Sequence, residues 1–328
     1  MKMNKKQAII EFANSISLDT IGFTKCRRFE ELKSWFEYRK ENNLFNEFEE
    51  ADIEKKINPG LFMEDGETII SIAFPYYYGI GEGENQFSIY TRGEDYHRVV
   101  LNYLNKICGL IAELGGKAIP LVDSNPLPER YIASLCGIGF IGKNNTLITE
   151  KYGSYVFLGE IITDLELESD EPNYNNCCGC NICMEKCPTS VIIEDGKNFN
   201  SKQCVSYLTQ KKELDNYEIT LIKGKIFGCD ECQKFCPHNK YITNSGIKEF
   251  EPKSYMDNVN LNELIILNNA EFKEKYKNHS CGWRGKNLLI RNGLINYYFE
   301  HKNDNNDILK KITSPYIKEY YERLFSSK

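Results

Sequence analysis

The sequence has no long hydrophobic run, no excess of positive charge and no regular internal repeat. No apolar stretch approaches the roughly 20 residues that a helix needs to cross a bilayer. The segment MKMNKKQAIIEFANSISLD lacks the apolar core and the small-residue cleavage site of a signal peptide, and no twin-arginine segment precedes it. We therefore expect a cytoplasmic protein without a membrane partner. The net charge of −6 gives no overall support for nucleic-acid binding, which would need a local basic patch.

Cysteine, in contrast, is abundant, with 13 copies in a chain of otherwise ordinary globular composition. Eight of them form two runs with a single cysteine between the runs. The first run has the spacing C-x2-C-x2-C-x3-C-P, which is the bacterial ferredoxin pattern for cubane iron–sulfur clusters, and the second has C-x2-C-x3-C-P. The eight positions are Cys177, Cys180, Cys183, Cys187, Cys204, Cys229, Cys232 and Cys236.

These cysteines divide into two complete ligand sets. The last cysteine of such a run lies beyond the loop and ligates the other cluster in two-cluster proteins. The rule assigns one 4Fe–4S cluster to Cys177, Cys180, Cys183 and Cys236, and a second to Cys187, Cys204, Cys229 and Cys232. The alternative is structural zinc, which favours paired C-x2-C knuckles and does not require the C-x3-C-P ending. Cys178 could in principle replace its neighbour Cys177, although only Cys177 has the x2 spacing to Cys180.

Helical and strand-like segments alternate up to about residue 165, which favours an α+β or α/β fold with a mixed sheet. The predicted helices of this part are 4–17, 29–39, 93–114 and 125–136. The predicted strands are 20–26, 68–74 and 117–122, followed by a hairpin of 146–149 and 155–163. A polar linker leads to the cysteine-rich module, and the remaining chain is predicted to be helical at 260–277, 286–300 and 315–325. We predict domains with the bounds 1–168, 169–245 and 246–328.

Gly137, Gly139 and Gly142 form a literal G-x-G-x-x-G motif. A dinucleotide-binding loop requires a strand before this motif and a helix after it, whereas the predicted order here is the reverse. We therefore interpret the glycines as a tight loop that brings the backbone close to a flat or bulky ligand.

Asp123 lies at the carboxyl end of a predicted strand, where ligands bind in α/β sheets. A carboxyl group in this position can act as a general acid if burial raises its pKa. The alternative is a helix N-cap, because a helix is predicted to follow.

His97 also has two interpretations. Asp95-x-His97 resembles the start of the cobalt-ligating D-x-H-x-x-G motif of some cobalamin proteins but lacks its glycine. The alternative is a packed or hydrogen-bonding histidine.

The helical tail contains a small basic and aromatic group, comprising Arg284, Lys286, Arg291 and Trp283. Such a group can hold phosphates and stack a base, or it can be a solvated helix face. His238, which follows the second cysteine run, is either a hydrogen-bond donor to a cluster or an unrelated residue.

Together with the cysteine runs, five motifs resemble the epoxyqueuosine reductase family over about residues 50–240. They are G-E-D-Y-H at 93–97, V-D-S-N-P-L-P-E-R at 122–130, G-I-G-F-I-G-K-N at 137–144, G-S-Y-V-F-L-G-E-I at 153–161 and C-V-S-Y-L-T at 204–209. The resemblance implies a cobalamin-binding domain, a ferredoxin-like module with two 4Fe–4S clusters and a helical, HEAT-like tail. Family members usually carry arginine in place of Lys56, and tryptophan in place of Phe140 and His238.

The implied activity is the reduction of epoxyqueuosine to queuosine at the wobble position of tRNA. Cob(I)alamin, supplied with electrons by the clusters, would be the reductant, and Asp123 would be the proton donor. The implied cofactor contacts are Lys56, Asp123, Lys143, Leu147, Leu158, Ile161 and Ser206, and the tRNA candidates are Arg284, Lys286 and Arg291. An external low-potential electron donor is implied as a partner, and we expect a monomer.

Two other functions remain open at this point. One is a cobalamin-dependent reductase of a small molecule, related to the reductive dehalogenases, although the exported members of that class carry a twin-arginine leader. The other is a two-cluster electron carrier that binds no corrin. The long segment before the first cysteine run disfavours a plain carrier.

Overall fold

The computed structural model describes residues 4–81, 83–194, 196–302 and 310–325. The helices are α1 (Lys5–Ser15), α2 (Lys33–Glu41), α3 (Ile53–Ile57), α4 (Tyr96–Glu113), α5 (Glu129–Leu135), α6 (Ile182–Lys186), α7 (Val205–Leu208), α8 (Asn216–Leu221), α9 (Glu231–Lys234), α10 (Ser254–Asp257), α11 (Leu261–Leu264), α12 (Asn269–Glu271), α13 (Lys286–His301) and α14 (Pro315–Phe325). The strands are β1 (Ile21–Lys25), β2 (Thr68–Pro75), β3 (Gln86–Phe87), β4 (Ala118–Leu121), β5 (Phe140–Ile141), β6 (Leu147–Ile148), β7 (Val156–Thr163) and β8 (Lys225–Phe227). None of the helices in these ranges is both long enough and apolar enough to cross a membrane.

The chain packs into two compact units, each assembled from separate segments. The first unit comprises Met1–Tyr77, Tyr96–Ser201 and Cys232–Lys248. The second comprises Tyr78–Asp95, Lys202–Glu231 and Glu249–Lys328. The three domains expected from the sequence remain a prediction.

An antiparallel sheet with the order β1-β2-β7-β4 forms the centre of the first unit. β2 and β7 pair along their whole length, from Thr68↔Thr163 to Pro75↔Val156. Both strands are rich in isoleucine and almost entirely buried, which suits the two central positions. The α+β character is therefore confirmed. The expected mixed sheet is wrong, because the alternation of helices and strands does not determine strand direction, and each strand of this sheet is antiparallel to its neighbours.

The predicted hairpin of 146–149 and 155–163 is also wrong. β6 pairs with β5, and only an isolated bridge between Thr149 and Gly153 remains at the expected turn. β7 has β2 on one edge and β4 on the other, so no edge is left for β6.

α4 and α5 cover opposite faces of this sheet. α4 approaches β7 so closely that a Cβ atom on Gly159 would lie 2.7 Å from Cγ1 of Val100. Ile162, three residues further along β7 and therefore on the other face, packs with Ile132 of α5. The ends of β4 and α5 thereby bring the segment 122–128 to one rim of the sheet.

The second unit contains a short parallel pair of strands, β3 and β8, and a helical core. α13 is buried from Leu288 to Tyr297 without interruption, and α11 and α14 pack against it. The predicted helix 260–277 is divided into α11, α12 and the π-helical turn Phe272–Tyr276. A helical tail is thus confirmed, whereas its HEAT-like character remains a prediction.

Arg291 is fully buried in α13 and acts as a structural clamp within the second unit. Its guanidinium donates to the carbonyl oxygens of Lys211, at 2.6 Å, and Thr209, at 3.2 Å, and to the side chain of Asn292. The predicted contact between Arg291 and tRNA is therefore wrong, because a guanidinium that donates its hydrogen bonds inside the core cannot reach a phosphate. The helical spacing of the tail could not distinguish this buried arginine from a solvated one.

We expect Arg291→Met to destabilise the protein by about 3 kcal/mol or more, because each buried acceptor left without a donor costs about 1–3 kcal/mol. Thermal unfolding followed by circular dichroism measures the effect. Arg284→Met is the matched control, since Arg284 is only partly buried and donates to the carbonyl oxygen of Gln210. Equal stability of the two variants would contradict the clamp.

Candidate functional site

Four of the predicted cluster cysteines lie together in the first unit. Cys183 is buried in α6, directly after the loop that carries the first run. Burial raises the pKa of its thiol, and negative charge on three neighbouring thiolates raises it further; these are Cys177, Cys180 and Cys236. The main-chain N–H of Lys143 donates to Sγ of Cys177 at 3.4 Å. A converging set of thiolates with an amide donor fits an iron–sulfur cluster, because the iron core compensates the charge that burial disfavours.

Cys178 does not share this environment. Its backbone is left-handed, with φ 45°, and its exposed thiol turns back to the carbonyl oxygen of Asn176 at 3.5 Å. Cys178 instead lines an open cavity with Phe140, Tyr174 and His238. This arrangement supports Cys177 as the ligand.

The second predicted ligand set is distributed over both units of the chain. Cys187 and Cys232 belong to the first unit, and Cys204 and Cys229 belong to the second. Within the second unit, burial raises the pKa of the Cys229 thiol to about 12, and the charge of Cys204 contributes to that rise. The assignment of all four to one cluster remains a prediction.

Asp123 and His97 form an accessible polar pair at the rim of the sheet. Asp123 follows β4 in a left-handed conformation, with φ 40°, and its Oδ2 lies 2.9 Å from Nε2 of His97. The Asp123 side chain is 52% exposed and that of His97 is 37% exposed, so a ligand can reach both. The N-cap alternative for Asp123 is wrong, because α5 begins only after Pro128 and has no side-chain cap.

The electrostatics of Asp123 differ from the expectation for a buried general acid. Burial acts to raise the pKa of its carboxyl, but hydrogen bonds from His97 and Tyr96 and the charge of Arg130 outweigh burial, so the net pKa is lowered. In this state Asp123 is a carboxylate, which can accept a hydrogen bond from Nε2 of His97. His97 is therefore a hydrogen-bonding histidine, in line with one of its two interpretations, and Tyr96 is a contributor that the sequence reading missed.

Comparison with known proteins adds to this geometry. Residues 56–124 match the family described as epoxyqueuosine reductase QueG, DUF1730, and residues 176–239 match the 4Fe-4S double cluster binding domain. An epoxyqueuosine reductase of Bacillus cereus is 37% identical over 301 residues, which cover 88% of this chain and 79% of that protein. The chain belongs to the epoxyqueuosine reductase family. It is an oxidoreductase with a module for two 4Fe–4S clusters.

Solved structures of the family support the same conclusion. The epoxyqueuosine reductase of Streptococcus thermophilus has a TM-score of 0.88 and 34% identity, with 99% of this chain and 91% of that chain covered. An epoxyqueuosine reductase crystallised with a tRNA-Tyr epoxyqueuosine-modified stem loop has a TM-score of 0.86 and 29% identity, with 98% of each chain covered.

The residues that the family resemblance assigned to the cofactor occupy different environments. Leu147 and Leu158 share one small core cluster, and Ile161 is fully buried in β7. Lys143 Nζ donates to Asn181 at 2.6 Å. Ser206 lies on α7 in the second unit.

Lys56 differs from these residues because its charge is buried. The side chain is 7% exposed, and Nζ lies 4.9 Å from the ring centroids of both Phe36 and Phe45. Within the described ranges Nζ makes no hydrogen bond or ion pair, and burial lowers the pKa of the ammonium group. A buried cation of this kind is costly unless a ligand supplies an oxygen acceptor.

The glycine motif has a structural role in the packing of the backbone. A helix precedes the motif, β5 lies within it and β6 follows it, so the dinucleotide interpretation stays excluded. A Cβ atom on Gly139 would lie 2.6 Å from the carbonyl oxygen of Ile148. Gly139 therefore permits close approach of two backbone segments, and the approach of a ligand to this loop stays a prediction.

The two positions at which tryptophan is usual in the family contact each other. The Phe140 and His238 rings meet edge to face, with centroids 5.3 Å apart. Among the tRNA candidates other than Arg291, Arg284 and Lys286 are partly exposed, and the guanidinium of Arg284 lies 4.8 Å from the ring of the exposed Trp283.

Proposed function

We propose that this chain reduces epoxyqueuosine to queuosine at the wobble position of tRNA, with Asp123 as the proton donor. The observation that carries the proposal is the accessible Asp123–His97 pair, in the same compact unit as four converging cluster cysteines. The relatives named above are reductases of the same class, and one of them was crystallised with a modified tRNA stem loop.

Cobalamin is the second cofactor in this proposal. When bound and reduced by way of the clusters, it supplies the electrons that open the epoxide. Cobalamin carries carboxamide side chains and a phosphodiester, and the buried, unpaired ammonium of Lys56 fits such an oxygen acceptor. Backbone groups near Leu147, Leu158 and Ile161, with Lys143 and Ser206, complete the proposed cofactor contacts.

The His97–Asp123 pair has the geometry to store and deliver a proton. A ligand that covers Asp123 removes water from its carboxylate and therefore raises the pKa of that group. The proton shared with His97 then moves to Asp123, which can donate it to the epoxide oxygen as the C–O bond breaks. The second proton must come from solvent, and the oxygen leaves as water.

Substrate binding requires the modified nucleoside to leave the stack of the anticodon loop. Arg284 and Lys286, which are partly exposed, are the proposed contacts to the flanking phosphates, and Trp283, which is 57% exposed, can stack on a base. We expect the protein to act as a monomer in the cytoplasm, where tRNA is modified, with an external low-potential carrier as its electron donor.

The test is turnover of tRNA that carries epoxyqueuosine, with iron and cobalt counted in the same anaerobic preparation. We expect about eight irons per chain from two cubanes, one cobalt, and conversion to queuosine detected by mass spectrometry of the nucleosides. tRNA that already carries queuosine is the matched substrate control. Iron without cobalt after reconstitution, and no turnover, would favour the electron carrier. Both metals without turnover of tRNA would favour a reductase of a small molecule.

A further inference from the structure

A buried carboxyl group, that of Glu160, and a half-buried one, that of Glu129, lie near Asp123, and neither has a role in the function proposed above. Glu160 is in the middle of β7, where it is paired with Ser71 of β2 and Leu121 of β4. Its side chain is 1% exposed. Oε1 accepts a hydrogen bond from the hydroxyl of Ser71 at 3.3 Å. No N–H or O–H group of the described residues donates to the buried Oε2.

Glu129 connects this buried carboxyl to Asp123. It is the first residue of α5, and its Oε1 accepts from the main-chain N–H of Asp123 at 2.7 Å and from Nδ2 of Asn125 at 3.1 Å. The carboxyl group of Glu129 is also in hydrogen-bonding contact with that of Glu160. Two ionised carboxylates have no hydrogen to share, so this contact requires a proton on one of the two side chains.

We propose that Glu129 and Glu160 share one proton and that Glu129 thereby holds the main chain of Asp123 in the conformation that turns its carboxylate towards His97. Both glutamates are positioning residues, since neither is exposed to substrate in the manner of Asp123. The left-handed backbone of Asp123 is unfavourable for a residue with a Cβ atom, and the 2.7 Å bond to Glu129 is the contact that stabilises it. The inference rests on the proposed function only for the role of Asp123 as proton donor.

The charges around the pair agree with a shared proton. Burial raises the pKa of Glu129 to about 7, and the charge of Asp123 contributes to the rise. Burial also raises the pKa of Glu160 well above its usual range, and the charge of Glu129 adds to this effect. The charge of Arg130 opposes the rise in the pKa of Glu129, and Asp123 and the thiol of Cys136 are further titratable groups near Glu160.

The pH dependence follows from the raised pKa values. A carboxyl whose pKa is raised on folding favours the folded state below its unfolded pKa, and this contribution is lost as the pH rises through the folded value. Above about pH 7, where Glu129 on its own would be ionised, the pair holds only the shared proton, and the loss of that proton at higher pH leaves two carboxylates that repel each other. The restraint on Asp123 should therefore weaken on the alkaline side of neutrality.

The experiment compares Glu129→Ala, Glu129→Gln and the control Glu113→Ala in cofactor-loaded protein. Glu113 is exposed at the end of α4 in the same unit, so its loss reports any general effect of removing a glutamate. Amide hydrogen exchange of the segment 122–128 measures the restraint directly and requires no substrate. Turnover is measured in parallel over a pH range from about 6 to 8 that brackets the pKa of Glu129.

Glu129→Ala should speed exchange of the segment 122–128 and lower kcat by about 10- to 100-fold, as expected for a displaced catalytic group. In Glu129→Gln the amide oxygen can still accept from Asp123, and the amide N–H can donate to Glu160 at any pH. This variant should therefore keep most of the exchange protection of the segment 122–128 and most of kcat. Its exchange protection should not fall as the pH rises above 7. Exchange and kcat unchanged in Glu129→Ala would overturn the proposal, and so would a glutamine variant that behaves like alanine. Absence of epoxyqueuosine turnover in the parent protein would sink the proposed function but leave the exchange result interpretable.

Discussion

Asp123→Asn should abolish nearly all turnover of epoxyqueuosine tRNA while the iron and cobalt contents stay at the level of the parent protein. A positioned general acid contributes about 10²- to 10⁴-fold to rate, and an amide cannot supply the proton. Asparagine has the size of aspartate, and its main-chain N–H still donates to Glu129. The loss should therefore appear in kcat rather than in folding or cofactor binding.

The matched control for this variant is Asp65→Asn. Asp65 is also exposed and paired with a cation, Lys117, but it lies outside the rim that carries Asp123. The nucleosides of both reactions are analysed by mass spectrometry, and metal is counted on the same samples. Substantial turnover in Asp123→Asn would remove this residue from the mechanism and transfer the proton donation to His97 or to solvent.

The sequence predicted the parts of the fold that local patterns determine. T-I-I-S-I-A-F was expected as a buried strand and forms β2, and the strand and helix expected around 117–122 and 93–114 are β4 and α4. These segments combine a clear period with strong start or stop signals, so their secondary structure follows from the local sequence. The cysteine spacing was equally informative, because the geometry of a cubane fixes the distances along the chain between its ligands.

What the sequence could not predict depends on contacts between distant segments. The direction and neighbours of β7 result from pairing across more than 80 residues, as in Ile72↔Gly159, and no local pattern encodes them. Arg291 is buried for the same reason, since its acceptors lie about 80 positions earlier in the chain. The pairing of Glu129 with Glu160 also depends on α5 lying over the middle of β7, so neither glutamate gave a signal in the sequence.

The second large effect concerns the ligands of the first cluster. Cys236→Ala should lower the iron content from about eight to about four per chain, the loss of one cubane, and should abolish turnover because electrons no longer pass through both clusters. Cys178→Ala is the matched control, since Cys178 is adjacent to Cys177 but exposed and turned away, and it should retain the full iron content. Iron loss in Cys178→Ala would show that Cys178 replaces Cys177 as a ligand.

Double variants decide whether the second cysteine run contributes its last cysteine to the first cluster. If Cys183 and Cys236 bind the same cubane, the variant lacking both should retain about four irons, as each single variant does. If Cys187 binds the other cubane, the variant lacking Cys183 and Cys187 should retain almost none. The opposite pattern would mean that each run binds its own cluster. The shared charge environment of Cys183 and Cys236 supports the crossed arrangement, because each of the two thiols is affected by Cys177 and Cys180.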